Sequence, residues 1–351
     1  WQMPLNPRSS APLGASSSPM SENIWSRRRF LGLMAACLPG LSMLRGRKPA
    51  MAGKKTQQAG TALFKDNRPS IGIALGAGGA NGLAHILMLE ALDDMGIQVA
   101  HIAGSSIGAI VGSLYAAGIS GKEIRDLVEQ FLLSHREKPL TELIDSEAFQ
   151  WIDFVEIELG EGGLVSADGF LAFMSDTLKK KTFEELNIPL RIVAADLWAR
   201  EQVVLASGDL ISGINASMAI PGVFEPVKRN GRVLIDGGTC NPVPYDLLTD
   251  CCDIVIAVDV IGERTQPASG LPGYFETVFN SIKVMQTAVM HEKRLRQDPA
   301  IYISVPVVNI RALEFYRAHE VFDQAAPARN ILKQQLPQAI EKWKAAGNSL
   351  K

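Results

Sequence analysis

The feature that most constrains the fold of this chain is the pentapeptide Gly104-Ser105-Ser106-Ile107-Gly108, set between an apolar run and a helical run. Val99-Ala100-His101-Ile102-Ala103 reads as a buried strand, and Ile107 to Ala117 reads as a helix rich in small and apolar residues. The flanking glycines allow a turn that a Cβ would obstruct, and the helix N-terminus favours developing negative charge. A serine in that turn is where a hydrolase presents a nucleophile. The ordinary alternative is a serine that only caps the helix. The pentapeptide by itself leaves both readings open.

A second strand-to-helix junction lies upstream. Ser70 to Leu75 is a short apolar strand candidate that runs into Gly76-Ala77-Gly78-Gly79-Ala80-Asn81-Gly82, and a helix pattern follows from Leu83 to Met95. Glycines at this density expose backbone N–H groups at the mouth of a helix, which makes an anion cradle. Such a cradle serves either a dinucleotide or an oxyanion. A dinucleotide fingerprint needs glycine at the sixth position from Gly76, where this chain has Asn81, and a carboxylate closing the next strand, where it has Ala103-Gly104-Ser105. An oxyanion hole needs only N–H groups aimed at the charge that develops in acyl transfer. Both turns would close consecutive parallel strands and so fall at the carboxyl edge of one sheet.

A candidate base comes later. Arg232 to Asp236 is a strand pattern ending in an aspartate, followed by Gly237-Gly238 and then Asn241-Pro242-Val243-Pro244. Asp-Gly-Gly after a strand is most often a simple turn, but here it accompanies a nucleophile candidate and an anion cradle. The five histidines are His85, His101, His135, His291 and His319, and none occupies an obvious loop after a late strand. His291 and His319 sit in charged helical patterns and read as solvated residues. The aspartate is the better base.

Strand, glycine loop, helix, strand and G-x-S-x-G, followed much later by Asp-Gly-Gly, resembles the patatin-like phospholipases, specifically their bacterial branch. Gly82-Leu83-Ala84-His85, the run from Ala216 to Val227, and Asp236-Gly237-Gly238 with Asn241 to Pro244 are similar to blocks of that family. The resemblance runs from about Arg68 to Val260. It implies a three-layer α/β/α fold with a mainly parallel central sheet. It also implies a Ser–Asp dyad, carried here by Ser106 as nucleophile and Asp236 as base. Gly76, Gly78 and Gly79, with the N–H of Ile107 as an extra donor, would form the oxyanion hole, and Gly82, Gly104, Gly108, Gly237 and Gly238 would support the motif turns. The implied reaction is a two-step acyl transfer of phospholipase A, lysophospholipase or carboxylesterase type. A partly dry site would raise the pKa of the carboxylate toward neutrality, as a base needs. The implied partner is a lipid or lysolipid met transiently at a membrane surface. The alternative from another class is a non-catalytic lipid-binding or scaffold protein that retains the site.

One position departs from the pattern. Family members usually carry Arg or Lys just before the last glycine of the oxyanion loop, and this chain has Asn81. An amide can still donate a hydrogen bond but supplies no positive charge for a lipid phosphate, which leaves neutral esters or lysolipids open.

Outside the domain, Ser26-Arg27-Arg28-Arg29-Phe30-Leu31 resembles a twin-arginine export signal, followed by an apolar segment from Phe30 to Leu44. That segment is too short, and too interrupted by Pro39 and Gly40, for a comfortable membrane span. Ala50-Met51-Ala52 is an A-x-A cleavage signal, and Met20 would open a compact basic n-region. Cys37 is a near miss for a lipoprotein cysteine. The expectation is an exported protein, periplasmic or membrane-associated, with a cytoplasmic location and a disordered basic tail as the alternative.

Residues 1–60 are therefore set apart from the fold, and residues 61–351 are expected to form one large domain with a substantial core. A formal net charge of −2 gives no reason to expect nucleic acid. Four cysteines make no disulfide framework, and no His/Cys cluster has metal spacing, so neither metal nor cofactor is expected. Cys251-Cys252 reads as buried free thiol. Further strand candidates are Leu190 to Ala195, Gln202 to Leu205, Ile254 to Val258 and Ile301 to Val305, with helix patterns at Gly121 to Ser134, Thr277 to Gln297 and Ala325 to Ala346. In the irregular stretch from Glu137 to Gly163, Phe149, Trp151, Ile152, Phe154 and Val155 form either ordinary core or a mobile cap that meets lipid.

Overall fold

The computed structural model describes residues 68–136, 167–266 and 270–348. The export-signal expectation, Cys37 and the aromatic cluster between Phe149 and Val155 lie outside these residues.

The first half is a β–α alternation. Strand β1 (Ile71–Leu75) passes through a short 3₁₀ turn (Gly79–Leu83) into helix α1 (Ala84–Asp94), and β2 (Val99–Ser105) turns into α2 (Ile107–Ala116). Helices α3 (Gly121–Arg136) and α4 (Asp168–Leu178) follow, then β3 (Leu190–Asp196) and β4 (Glu201–Leu205). After α5 (Leu210–Met218) come β5 (Val227–Arg229) and β6 (Arg232–Asp236), then β7 (Ile254–Asp259). Helix α6 (Tyr274–Arg296), β8 (Ile301–Ser304) and α7 (Ala318–Asn348) complete the order.

The eight strands form one sheet in the order β5-β6-β3-β2-β1-β7-β8, with β4 also paired to β3. The pairs of β1 with β2 and β7, of β2 with β3, and of β7 with β8 are parallel. β4, β5 and β6 add antiparallel pairs at the other side. The fold is thus α/β with a mixed, mainly parallel sheet, as expected.

Strand residues alternate between two packed faces. Ile73, Leu75, Ile102, Ile192, Ile256 and Val258 point to a large core shared with α1, α2, α5 and α7. Ala74, Ala103, Val255 and Ala257 point to a thinner layer closed by Val243, Tyr245, Leu248 and, on α6, Met290. The small residues on that face let the segment after β6 lie close against the sheet. Gly72 shows the tightness, because an added Cβ would stand 2.6 Å from Cys252 Sγ.

Where the elements differ from the sequence reading, packing is the cause. α7 starts seven residues before Ala325 and carries Pro327 and Pro337 inside it, held by Val321, Ala325, Ala328, Leu332 and Leu336 in the core. α4, α5 and the short β5 were not among the expected elements; β5 is only three residues long, too short to show a period. Cys240, Cys251 and Cys252 are free thiols as expected, but half-buried rather than buried.

Candidate active site

The sheet itself brings the candidate residues together. β4 pairs with β3 over Ile192–Asp196, so it occupies one edge of β3. β2 takes the opposite edge up to Ser105, which pairs with Val193. From the next residue β6 takes over that same edge, with Asp236 paired to Ala194. β2 runs parallel to β3 and β6 runs antiparallel to it, so the carboxyl ends of β2 and β6 abut.

Ser106 follows β2 with φ 55° and ψ −124°, a positive φ that a residue with a Cβ rarely adopts. The turn is imposed by close packing. Gly108 passes so near β1 that an added Cβ would run into the Leu75 carbonyl. The Ser106 N–H donates to Ser217 Oγ at 2.9 Å, and the Ser217 hydroxyl donates to the Val193 carbonyl at 2.6 Å. This side-chain bridge from α5 fixes the elbow to β3. It also shows that Ser106 does not cap α2, because its side chain makes no bond to the helix.

That side chain points to Asp236 instead, with Ser106 Oγ 2.5 Å from Oδ2. The other carboxylate oxygen, Oδ1, accepts the Gly238 N–H at 2.6 Å. Both residues are buried. Burial pushes the Asp236 carboxyl up to about 6, against the opposing pull of the Ser106 hydroxyl and the Gly238 amide. A carboxylate poised there is ionised at neutral pH yet basic enough to draw a proton from a hydroxyl.

The glycine loop faces the pair. The N–H groups of Gly76, Ala77 and Ala80 donate to Val258, Pro242 and Ala312 carbonyls at 3.0, 2.8 and 2.7 Å. Among the described residues, no partner takes the N–H of Gly78, Gly79 or Ile107. Gly76 was expected among the oxyanion donors, and its use by Val258 removes it from that set. Its carbonyl is taken as well, by the buried His85 Nε2 at 2.8 Å. Burial pushes the His85 imidazole down to about 4, so it is neutral and Nε2 carries the donated proton. Gly79 has φ +60°, and an added Cβ would run into the Ala312 backbone. Gly78 and Gly79 are therefore needed for close backbone approach to Val260 and Ala312.

Two contacts hold the turn after Asp236. Gln286 Nε2 on α6 donates to the Gly238 carbonyl at 3.1 Å. Lys293, one helical stretch further, donates to Asn241 Oδ1 and the Val243 carbonyl at 2.7 Å each and pairs with Asp246. Pro242, which lies between them, accepts the Ala77 N–H of the glycine loop. In the same turn, a Cβ on Gly237 would meet Val193, and one on Gly238 would meet Ala77, Gln286 and Asp236.

Ser106 lies at the junction of two cavities. A volume of about 140 Å³ runs along α2, lined by Ile107, Ile110, Val111 and Leu114 and closed by Phe170, Met174, Met218 and Phe224. A smaller one of about 50 Å³ lies on the Asp236 side, bounded by Gly78, Thr239, Phe279, Lys283 and Gln286. Asn81 lines neither. Its buried side chain turns away to donate to the Ile261 carbonyl at 3.1 Å, against Gly262. Lys283 and Gln286 are site neighbours that sequence reasoning missed, and His85 and Ser217 lay in the blocks named above without an assigned role. His291 and His319 are exposed on α6 and α7, as expected.

Fold and site together define an α/β protein with a strained serine bonded to a buried carboxylate at the carboxyl edge of its sheet. The sequence model of the patatin-like phospholipases matches residues 73–249, and the chain belongs to that family. An uncharacterised NTE family protein of Mycobacterium tuberculosis is 35% identical over 201 residues, which cover 57% of this chain and 51% of that one. Lysophospholipase NTE1 of Kluyveromyces lactis is 26% identical over 288 residues, covering 72% of this chain and 18% of that one. This chain therefore spans about half the length of the first and about a fifth of the second. Among solved structures, VipD from Legionella pneumophila aligns at 15% identity and a TM-score of 0.40, over 75% of this chain and 67% of that one.

Proposed function

We propose that this chain is a serine acyl hydrolase acting on lipid esters. The observation that carries the proposal is the 2.5 Å hydrogen bond from Ser106 Oγ to Asp236 Oδ2 at the mouth of an apolar cavity. A hydroxyl is a weak nucleophile until a neighbour takes its proton. Asp236 takes that proton as Ser106 Oγ bonds to the ester carbonyl carbon. The carbonyl oxygen becomes an oxyanion within reach of the free N–H groups of Gly78, Gly79 and Ile107. Collapse of this intermediate breaks the ester bond, and the proton passes from Asp236 to the departing alcohol. Water then attacks the acyl-Ser106 carbonyl, again giving its proton to Asp236; collapse breaks the Ser106–acyl bond, Asp236 returns the proton to Ser106 Oγ, and a fatty acid leaves.

The α2 cavity offers the acyl chain an apolar place to lie. The cavity along α2 is lined almost wholly by aliphatic and aromatic side chains, and each methylene it removes from water contributes about 0.8 kcal/mol. The family and the similarity to the yeast lysophospholipase support a lipid ester as the substrate class. The test is labelling with an alkyl fluorophosphonate. Modification of wild type and not of Ser106→Ala is expected, and an unlabelled wild-type protein would overturn the hydrolase reading in favour of lipid binding alone.

Export is part of the same reading. Arg27 and Arg28 ahead of an apolar segment support passage through a twin-arginine route. Replacing both with Lys is expected to hold the protein in the cytoplasm, and unchanged fractionation would count against it.

A further inference from the structure

The smaller cavity beside Ser106 is lined by a cation, Lys283, with no partner among the described residues. Lys283 Nζ is buried, and among the described residues it has neither a hydrogen bond nor an ion pair. Burying an ammonium ion without a partner is costly. Here burial and the nearby Arg264 guanidinium pull Lys283 down to about 8, so it is still largely charged at neutral pH. Arg264 is itself satisfied by Glu276 at 2.6 Å, while Lys283 is not.

Among the described residues, Asp236 is the one carboxylate lining that cavity, and it is already bonded. Its two oxygens accept from Ser106 and Gly238, and its pKa is raised rather than lowered. A lysine acting as its counter-ion would pull it the other way. Among the described residues, Lys283 therefore serves no internal anion.

The position of this charge identifies what it could meet. Ser106 and Gly79 line both the apolar cavity and the cavity that contains Lys283. A substrate whose acyl chain fills the first and whose ester carbonyl sits at Ser106 extends its alcohol portion into the second. Asn81 supplies no charge there, because its side chain is turned into the core. We propose that Lys283 is a specificity-determining residue that binds the phosphate of a lysophospholipid whose acyl chain occupies the α2 cavity. This inference rests on the acyl-hydrolase reading and names its substrate class. A compact ammonium with three donors suits one phosphate oxyanion without demanding a fixed fork geometry.

The test compares two esters of one acyl chain, myristoyl lysophosphatidylglycerol and monomyristoylglycerol, in wild type, Lys283→Met and Lys283→Arg. The ratio of kcat/KM for the phosphate ester to that for the neutral ester is expected to fall about tenfold or more in Lys283→Met, mainly through KM, and to be largely restored in Lys283→Arg. An unchanged ratio, or a parallel loss on both esters, would overturn the proposal. Lys283→Met is also expected to melt higher than wild type, because an unpaired buried charge is gone; a lower melting temperature would mark a structural lysine instead. Lys283→Gln replaces it if the methionine variant fails to fold.

Binding keeps the two readings separable. Ser106→Ala, with and without Lys283→Met, is titrated with an ether-linked alkylglycerophosphate, the matching alkylglycerol, and glycerophosphate. Lys283-dependent binding of the ether phosphate supports the proposal even if wild type hydrolyses neither ester, which would sink only the hydrolase reading. Glycerophosphate bound as tightly as the ether lipid would overturn the lipid assignment in favour of a free phosphate ester.

Discussion

Ser105 and Asp236 sit at successive positions along one edge of β3, paired to Val193 and Ala194 respectively. One arrives on a parallel strand and the other on an antiparallel strand, so two chain ends meet head to head. The next residue after Ser105 is Ser106, and its Oγ lies 2.5 Å from Asp236. The distance is therefore set by sheet register. If the two side chains act as one unit, Ser106→Ala and Asp236→Asn should each lower kcat/KM on a medium-chain p-nitrophenyl ester by about 10³-fold or more. The double variant should be little worse than either single one. Additive losses would show that the residues work separately.

Asp236 must be ionised to accept the Ser106 proton, and burial raises its pKa to about 6. On a neutral ester, kcat/KM is therefore expected to rise with pH through a midpoint near 6 and then level off. A pH–rate profile in the free-enzyme regime from about pH 4.5 to about 8 checks this. A midpoint near the ordinary carboxylate value would assign the base elsewhere.

The same carboxyl has a stability cost. In the folded chain it holds its proton up to about pH 6, whereas in the unfolded chain it loses it near 3.8. Stability from this group is fully present below the unfolded value and is lost as pH rises through the folded one. The ionised folded state is then disfavoured by about 3 kcal/mol at neutral pH. Asp236→Asn should therefore match wild type in urea unfolding near pH 4 and exceed it by up to about 3 kcal/mol near pH 7.5. A difference that stays constant with pH would contradict the buried, base-like carboxyl.

Much of this arrangement was legible from local pattern. β6 ends at Asp236 and α2 begins at Ile107 as the sequence reading had them, because short apolar runs and glycine turns leave few alternatives there. What was not legible depends on contacts between distant segments. Gly76 looks like any other glycine of its loop, and only the parallel pairing of β1 with β7 gives its N–H to Val258. Asn81 sits where a cation was expected to matter, yet the return of the chain at Ile261 turns its side chain inward. Lys283 left a faint signal: with Phe279, Gln286 and Met290 it follows the 4-3-4 spacing of one helix face. A charged residue on an otherwise packed stripe was the clue, but the cavity it lines is completed by Gly78, Ser106 and Asp236, which lie in other parts of the sequence.

His85 tests how far the glycine loop depends on its support. Its Nε2–H satisfies the Gly76 carbonyl from beneath, in a fully buried position. Removing the ring leaves that carbonyl unpaired and opens a cavity, so His85→Ala should cost about 2–4 kcal/mol. Because Gly78 and Gly79 follow directly, kcat should fall more than KM rises, as expected when oxyanion donors are displaced. Thermal melts and steady-state kinetics on one neutral ester check both. Lost stability with an unaltered kcat would separate the imidazole from the loop's chemistry.

The α2 cavity should set acyl-chain preference. Ser106 precedes the helix, and Ile107, Ile110, Val111 and Leu114 line the space in order along it. At 1.5 Å per residue, Leu114 lies about 12 Å from Ser106 along the axis. A larger side chain there would shorten the cavity from its far end while leaving the serine, carboxylate and glycine loop in place. Each methylene denied burial costs about 0.8 kcal/mol, roughly fourfold in kcat/KM. Leu114→Phe is thus expected to shift preference from myristoyl toward butyryl esters by about tenfold, the equivalent of one to two methylenes. The measurement is the ratio of kcat/KM across a series of p-nitrophenyl esters, with a melting curve to confirm that the substitution is accommodated. Uniform loss across the series would place the acyl chain elsewhere and leave the cavity as a packing defect of α2 and α4.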